Sequence, residues 1–179
     1  MTARPPPTAL QTRPAAAFAL TSATDPAVPP TTLSMDNKPL PTDISLHQKS
    51  RVLEIRFDDG ARFRLPCEYL RVLSPSAEVR GHSPATAKLQ IGKEDVNIRD
   101  LEQIGSYALK IIFDDGHKSG LYDWQYLYKL GRAWQPLWLD YLDRLREAGR
   151  SRSGPDPFEE MRARGETPAE LPARNAESA

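Results

Sequence analysis

The sequence contains a single cysteine and three histidines, so it cannot form an internal disulfide and offers few ligands for a zinc cluster. Its 24 basic residues equal its 24 acidic ones, which excludes the strongly basic surface that non-specific binding of nucleic acid requires. It has no apolar run near the roughly 18 residues of a membrane span. These absences favour a cytoplasmic protein with neither a nucleic-acid nor a membrane partner.

Proline is scarce in the middle of the chain and abundant at both ends. Nine of the 17 prolines fall before residue 42, and four more lie beyond Gly154. Segments rich in Pro, Ala and Thr bury too little apolar surface to offset the entropy lost on folding. We therefore predict a disordered extension over 1–45, one folded domain over 46–149 and a disordered charged tail over 150–179.

The clearest pattern is the tetrapeptide Phe-Asp-Asp-Gly, which occurs at residues 57–60 and again at 113–116. Each copy follows a run of alternating apolar residues, and Asp-Gly between such runs is typical of a β-hairpin. We predict two hairpins and a further strand over 96–104. The paired aspartates also suggest a metal site or acid–base chemistry, but adjacent side chains in a turn diverge, so a structural role is favoured.

Helical signals follow each hairpin. A short helix is predicted over 67–72, and Asp123 is the predicted N-cap of a longer helix that Gly131 ends. A second long helix takes Pro136 in its first turn and Gly149 beyond its last. Together the patterns predict an α+β fold. In it, a small, mainly antiparallel sheet of about five strands contains both hairpins and is covered by the C-terminal helices.

Few residues could carry chemistry. Cys67 lies near a helix start, but a lone cysteine is more typical of a small buried residue than of a nucleophile. His82 and His117 are typical of hydrogen-bonding histidines, and a metal site with Cys67 would need these segments to converge and lacks a clear fourth ligand. The sequence has no phosphate loop, iron triad or serine-hydrolase motif, so we expect no enzyme.

Several short motifs occur together over residues 46–149. In chain order they are FDDG at 57–60, LP at 65–66, SPSAEV at 74–79, GH at 81–82, IFDDGH at 112–117 and GLY at 120–122. This set resembles the γ-butyrobetaine hydroxylase-like N-terminal domain family. The resemblance implies a small α+β domain that occurs in γ-butyrobetaine and trimethyllysine dioxygenases, as stand-alone bacterial proteins, and fused behind P-loop ATPases that carry iron–sulfur clusters.

The resemblance further implies that, in the dioxygenases, this domain binds a structural zinc through three cysteines and one histidine. The iron and 2-oxoglutarate are then held by the domain that follows it. His117 matches the histidine, but residues 72–77 lack the expected cysteines, and Cys67 lies before that stretch. The zinc site is therefore not intact. Zinc or iron bound by His117, His82 and Cys67, in a metal-binding protein in its own right, is the alternative.

We expect a non-catalytic accessory or binding module, linked to iron–sulfur or metal handling through a protein partner such as an iron–sulfur carrier or assembly protein. The predicted partner-binding residues are exposed polar groups near the hairpin tips: Arg71, Ser74, Ser76, Glu78 and His82. A second interpretation is that Arg71 pairs with Glu78 or a turn aspartate and only fixes the loop.

Overall fold

A computed structural model describes residues 38–81 and 87–172 of the chain. Within these residues the strands are β1 (Pro41–His47), β2 (Val52–Phe57), β3 (Arg62–Pro66), β4 (Ile98–Ile104), β5 (Ala108–Phe113), β6 (Leu121–Asp123) and β7 (Ala169–Glu170). The helices are α1 (Cys67–Val72), α2 (Ala77–Arg80), α3 (Trp124–Arg132), α4 (Trp134–Glu147) and α5 (Pro157–Ala163). No helix in this part of the chain is long and apolar enough to cross a membrane.

The predicted α+β class and both hairpins are confirmed, but the strands form two sheets rather than one. One sheet has the order β1-β2-β3-β7 and the other β4-β5-β6, with every neighbouring pair antiparallel. Each hairpin pairs with the strand that precedes it in the chain. The two tetrapeptides therefore organise two separate meanders.

The folded region begins earlier than predicted. Strand β1 starts at Pro41, inside the segment 1–45 that was predicted to be disordered, and pairs along β2 as far as His47. It is an edge strand of its sheet, where a proline without an N–H costs no ladder hydrogen bond. Residues 1–37 lie outside the described part of the chain.

The prediction of a disordered tail over 150–179 is wrong for residues 150–172. Helix α5 buries Phe158 and Met161 in the core, and β7 joins the edge of the first sheet. The prolines do not interrupt this segment, because Pro157 occupies the first turn of α5, where its missing N–H has no helical partner. Asp156 caps the same turn by accepting from the backbone N–H of Phe158 at 2.8 Å. Residues 173–179 are not described.

The two Phe-Asp-Asp-Gly turns have the same hydrogen bonds. The first aspartate accepts from the strand before the hairpin: Asp58 from the Leu40 N–H at 3.1 Å, and Asp114 from the Asn97 N–H at 3.0 Å. The second aspartate closes its own turn, Asp59 through the Ala61 N–H and Asp115 through the His117 N–H. Both turn glycines have φ +86°. The structural interpretation of the acidic pairs is thereby confirmed.

Helices α1 and α3 follow the two meanders at equivalent positions and are bonded crosswise. The Tyr69 hydroxyl on α1 donates to the Leu130 carbonyl at 3.0 Å, and the Tyr126 hydroxyl on α3 donates to the Leu73 carbonyl at 2.6 Å. Each helix also reaches the second aspartate of the other meander's turn, Arg71 to Asp115 and Tyr128 to Asp59. The described chain thus contains an internal structural repeat whose halves interlock.

Gly131 was predicted to end the first long helix, but α3 continues to Arg132. A Cβ at Gly131 would overlap the ring of Phe63, so the glycine permits close packing of α3 on the first sheet. In α4 the side chains of Trp138, Tyr141 and Leu145 are buried, as part of one core that includes side chains from both sheets.

Candidate functional site

The second turn is fixed to α1 by a small group of charges. Arg71 Nε donates to Asp115 Oδ2 at 2.9 Å, and Lys93 Nζ donates to the same oxygen at 2.7 Å. Burial acts to raise the pKa of Asp115, but the hydrogen bond from Lys93, the His117 backbone N–H and the charge of Arg71 lower it overall. Of the two interpretations of Arg71, the contact with a turn aspartate is the one observed.

Beside this group, three side chains form a hydrogen-bonded chain. Ser74 Oγ lies 2.8 Å from His117 Nε2, and Glu78 Oε2 lies 3.2 Å from His117 Nδ1. Burial lowers the pKa of His117, Arg71 lowers it further, and Glu78 with Asp115 offsets part of that effect. A neutral imidazole therefore carries its proton on Nδ1, towards the carboxylate, and Nε2 accepts from the Ser74 hydroxyl.

This order of serine, histidine and carboxylate is the one found in hydrolases, but the serine has no room for a substrate. Ser74 is only 1% exposed, and a Cβ at Gly120 would lie 2.5 Å from its Oγ. The hydroxyl also accepts from the backbone N–H of Ser76 at 3.4 Å. The geometry holds the segment between α1 and α2 against the second turn rather than presenting a nucleophile.

The predicted partner surface is mostly internal. Arg71, Ser74 and Ser76 are buried, so the expectation that they are exposed is wrong. They are buried because the segment after α1 is folded under the second turn by the bonds described above. Glu78 is exposed and can contact a partner, whereas His82 lies outside the described residues.

Two of the three predicted metal ligands are described, and they contact different partners. Cys67 is fully buried, with Sγ 3.6 Å from Asn97 Oδ1, whereas His117 bonds Ser74 and Glu78. Burial raises the pKa of the Cys67 thiol to about 12, which disfavours the thiolate that binds metals. Residues 38–81 and 87–172 contain no group of three His, Cys, Asp or Glu side chains suited to a metal ion. A contribution from His82 stays a prediction.

Sequence reasoning missed an exposed apolar surface at the start of α3, which we call the Tyr107 face. Its exposed apolar side chains are those of Leu40 and Tyr107, beside a depression of about 200 Å³. The largely buried Trp124 and the polar residues Lys38, Asp123 and Gln125 also line this depression. Leu40 is 50% exposed and Tyr107 57%. The Trp124 backbone N–H donates to the Tyr107 carbonyl at 3.2 Å, which fixes the turn against the helix.

The equivalent surface in the first half of the repeat is covered by the chain itself. There the Cys67 N–H donates to the Arg51 carbonyl at 2.8 Å, matching the bond between Trp124 and Tyr107. Residues 152–157 line this surface, with Arg152 bonded to Glu68 at 2.6 and 2.8 Å. The repeated tetrapeptides were the signal from which this comparison could have been made, once the strands before them were recognised.

Comparisons with known proteins agree with this architecture. A profile described as gamma-butyrobetaine hydroxylase-like, N-terminal, matches residues 44–128. Two solution NMR structures are similar to the chain, one with 46% identity over 66% of this chain and 94% of its own, at a TM-score of 0.57. The other has 49% identity over 66% and 88%, at a TM-score of 0.58.

A crystal structure from Acidithiobacillus ferrooxidans is also similar, a protein with unknown function of the DUF971 family. It shares 35% identity over 51% of this chain and 91% of its own, with a TM-score of 0.44. No curated protein matches the chain. On the profile match and the motifs that it covers, the chain belongs to the gamma-butyrobetaine hydroxylase-like N-terminal family.

Proposed function

We propose that this chain is a non-catalytic accessory module that binds a protein partner through the Tyr107 face. The observation that carries the proposal is the difference between the two halves of the repeat. Residues 152–157 line the equivalent surface of the first half, whereas Leu40 and Tyr107 are about half exposed. Neighbouring exposed apolar side chains beside a depression are characteristic of interaction sites.

The covered half indicates the kind of partner that fits. Its occupant is a short proline-containing loop that starts at Arg152, bends at Gly154 (φ +85°) and leads into α5 at Pro157. The ring of Tyr107, which is 57% exposed, supplies an apolar surface for a comparable loop from another protein. A proline-containing loop of a partner protein is therefore the occupant that we propose.

The charges at the Tyr107 face differ from those of the covered half. Gln125 stands where the covered half has Glu68, the carboxylate that binds Arg152. Lys38 stands where the covered half has Asp95. Asp123 also lines the Tyr107 face and offsets the charge of Lys38, so this face favours neither an acidic nor a basic partner segment.

The proposal includes a role for the partner in iron–sulfur or metal handling, such as that of a cluster carrier or assembly protein. Support comes from the family resemblance alone, in which related domains are fused behind ATPases that carry iron–sulfur clusters. A cytoplasmic location fits this role.

The test is photocrosslinking in cells from a benzophenone amino acid placed at position 107, in the full chain. The matched control carries it at position 139, because Leu139 on α4 is 51% exposed and lies away from the Tyr107 face. We expect an adduct with an iron–sulfur carrier or assembly protein from position 107, weakened by Leu40→Asp, and none from position 139.

Equal adducts from both positions, or none from position 107, would contradict docking at the Tyr107 face. Adducts at position 107 with proteins unrelated to metals would support the docking surface and contradict the iron–sulfur assignment.

A further inference from the structure

A second concave site lies at the C-terminal end of α1, and we call it the Arg80 pocket. It has a volume of about 150 Å³ and lies between α2, the segment 87–90 and helices α3 and α4. Its charged and aromatic lining consists of Arg80, Lys88, Arg144, Tyr126 and Tyr141. It shares no residue with the Tyr107 face.

The lining carries three positive charges and no acidic side chain. Among the described residues, no carboxylate lies within 4.0 Å of the charged nitrogens of Arg80, Lys88 or Arg144. Other arginines nearby do have carboxylate partners, since Arg71 pairs with Asp115 and Arg146 pairs with Asp143. The three cations thus line one pocket without a described counterion, and an anion bound there would compensate their charge.

The walls of the pocket are held by bonds that do not involve the cationic groups. The Tyr141 hydroxyl donates to the Gln90 carbonyl at 3.0 Å, and the Lys88 backbone N–H donates to the Val79 carbonyl at 3.0 Å. The guanidinium of Arg80 lies 4.5 Å from the ring centroid of Tyr126, which orients its planar face. The charged groups therefore project from a preformed frame.

We propose that the Arg80 pocket binds a small phosphate-type dianion, either inorganic phosphate or the phosphate of a soluble phosphomonoester. Two arginines provide planar donor pairs that match phosphate oxygens, and the lysine adds a third charge. A dianion compensates two of the three positive charges, whereas a single carboxylate compensates only one of them. The volume fits one tetrahedral anion and a short substituent.

The experiment is a titration of the full chain with inorganic phosphate at constant ionic strength, followed by amide chemical shifts and calorimetry. Arg80→Gln and Arg144→Gln are the test variants. Arg146→Gln is the matched control, because Arg146 lies on the same helix as Arg144, is exposed and is paired with Asp143. We expect saturable binding by the wild type and the control, and binding about 10-fold weaker in each test variant.

Separate titrations identify the source of the phosphate. Glycerol 3-phosphate binding more tightly than inorganic phosphate would assign a phosphomonoester, and equal affinities would assign free phosphate. Melting temperatures measured without phosphate show whether each variant is folded. If Arg80→Gln or Arg144→Gln is not folded, Lys88→Gln is used as the test variant in its place. Non-saturable shifts, equal affinity in the test and control variants, or equally tight binding of glutarate would overturn the proposal.

Discussion

The fold changes the ionisation of His117. Its ring is buried between Ser74 and Glu78, and burial together with the charge of Arg71 places its pKa below the ordinary value of 6.5. The unfolded chain takes up a proton near pH 6.5, whereas the folded chain does so only at lower pH. The associated stability is therefore complete above pH 6.5 and is lost as the pH falls through the folded pKa.

We predict that His117→Gln flattens the decline in unfolding free energy between pH 7.5 and 5.5. At pH 7.5 the variant should lose about 1 kcal/mol, because it gives up one or two buried hydrogen bonds. Urea unfolding at several pH values measures both effects. His47→Gln, at a half-exposed position, is the control for replacing a histidine elsewhere in the chain. An unchanged slope in His117→Gln would show that another group causes the decline.

At this scale the sequence indicated which residues belong together but not which are exposed. Arg71 and a turn aspartate were one of two predicted pairings, and they do pair. The burial of Ser74 could not be predicted, because it depends on the close approach of Gly120, a loop residue just before β6 and far along the chain.

Among the elements, α3 depends on the absence of a side chain at Gly131. Alanine in a helix interior normally stabilises a protein by up to about 1 kcal/mol relative to glycine. Here the added Cβ would overlap the ring of Phe63, which is itself fully buried and cannot move into solvent. Packing should therefore outweigh helix propensity.

We predict that Gly131→Ala destabilises the protein by about 1 to 3 kcal/mol, as overpacking of a core does. Chemical denaturation of the variant measures this loss. In a Phe63→Ala background the same substitution should be neutral or stabilising, because the ring is gone. Equal losses in both backgrounds would place the cost in the helix itself rather than in its contact with the sheet.

The elements that sequence reasoning recovered are those with local signals. The two turns and the N-cap at Asp123 are set by residues within a few positions of each other. Strand β1 and helix α5 were missed because their prolines resemble those of disordered segments. The separation into two sheets depends on which strand pairs with each hairpin edge, a non-local choice that apolar alternation does not encode.

For the whole molecule, the C-terminal segment is an integral part of the fold. Phe158 stacks on Trp134 at 4.5 Å between ring centroids and contacts Tyr69 and Trp138 at 5.3 and 5.5 Å. Arg152 forms a salt bridge with the buried carboxylate of Glu68. Residues after Gly149 thus complete the core of the domain that precedes them.

We predict that Phe158→Ala costs about 3 to 5 kcal/mol of stability, as for other large buried aromatics. Thermal and urea unfolding of the full chain measure the loss. Leu139→Ala, at an exposed position, should stay within about 0.5 kcal/mol of the wild type. A comparably small change for Phe158→Ala would mean that α5 is not part of the cooperative unit.

The crosswise bonds between α1 and α3 have a consequence for the origin of the domain. Two identical short chains, each with one meander and one helix, would make the same reciprocal bonds across a two-fold axis. If the gene for such a homodimeric chain were duplicated and the two copies fused, the resulting protein would have the order of elements seen here. After fusion each copy can change independently, as Arg71 in one and Tyr128 in the other illustrate.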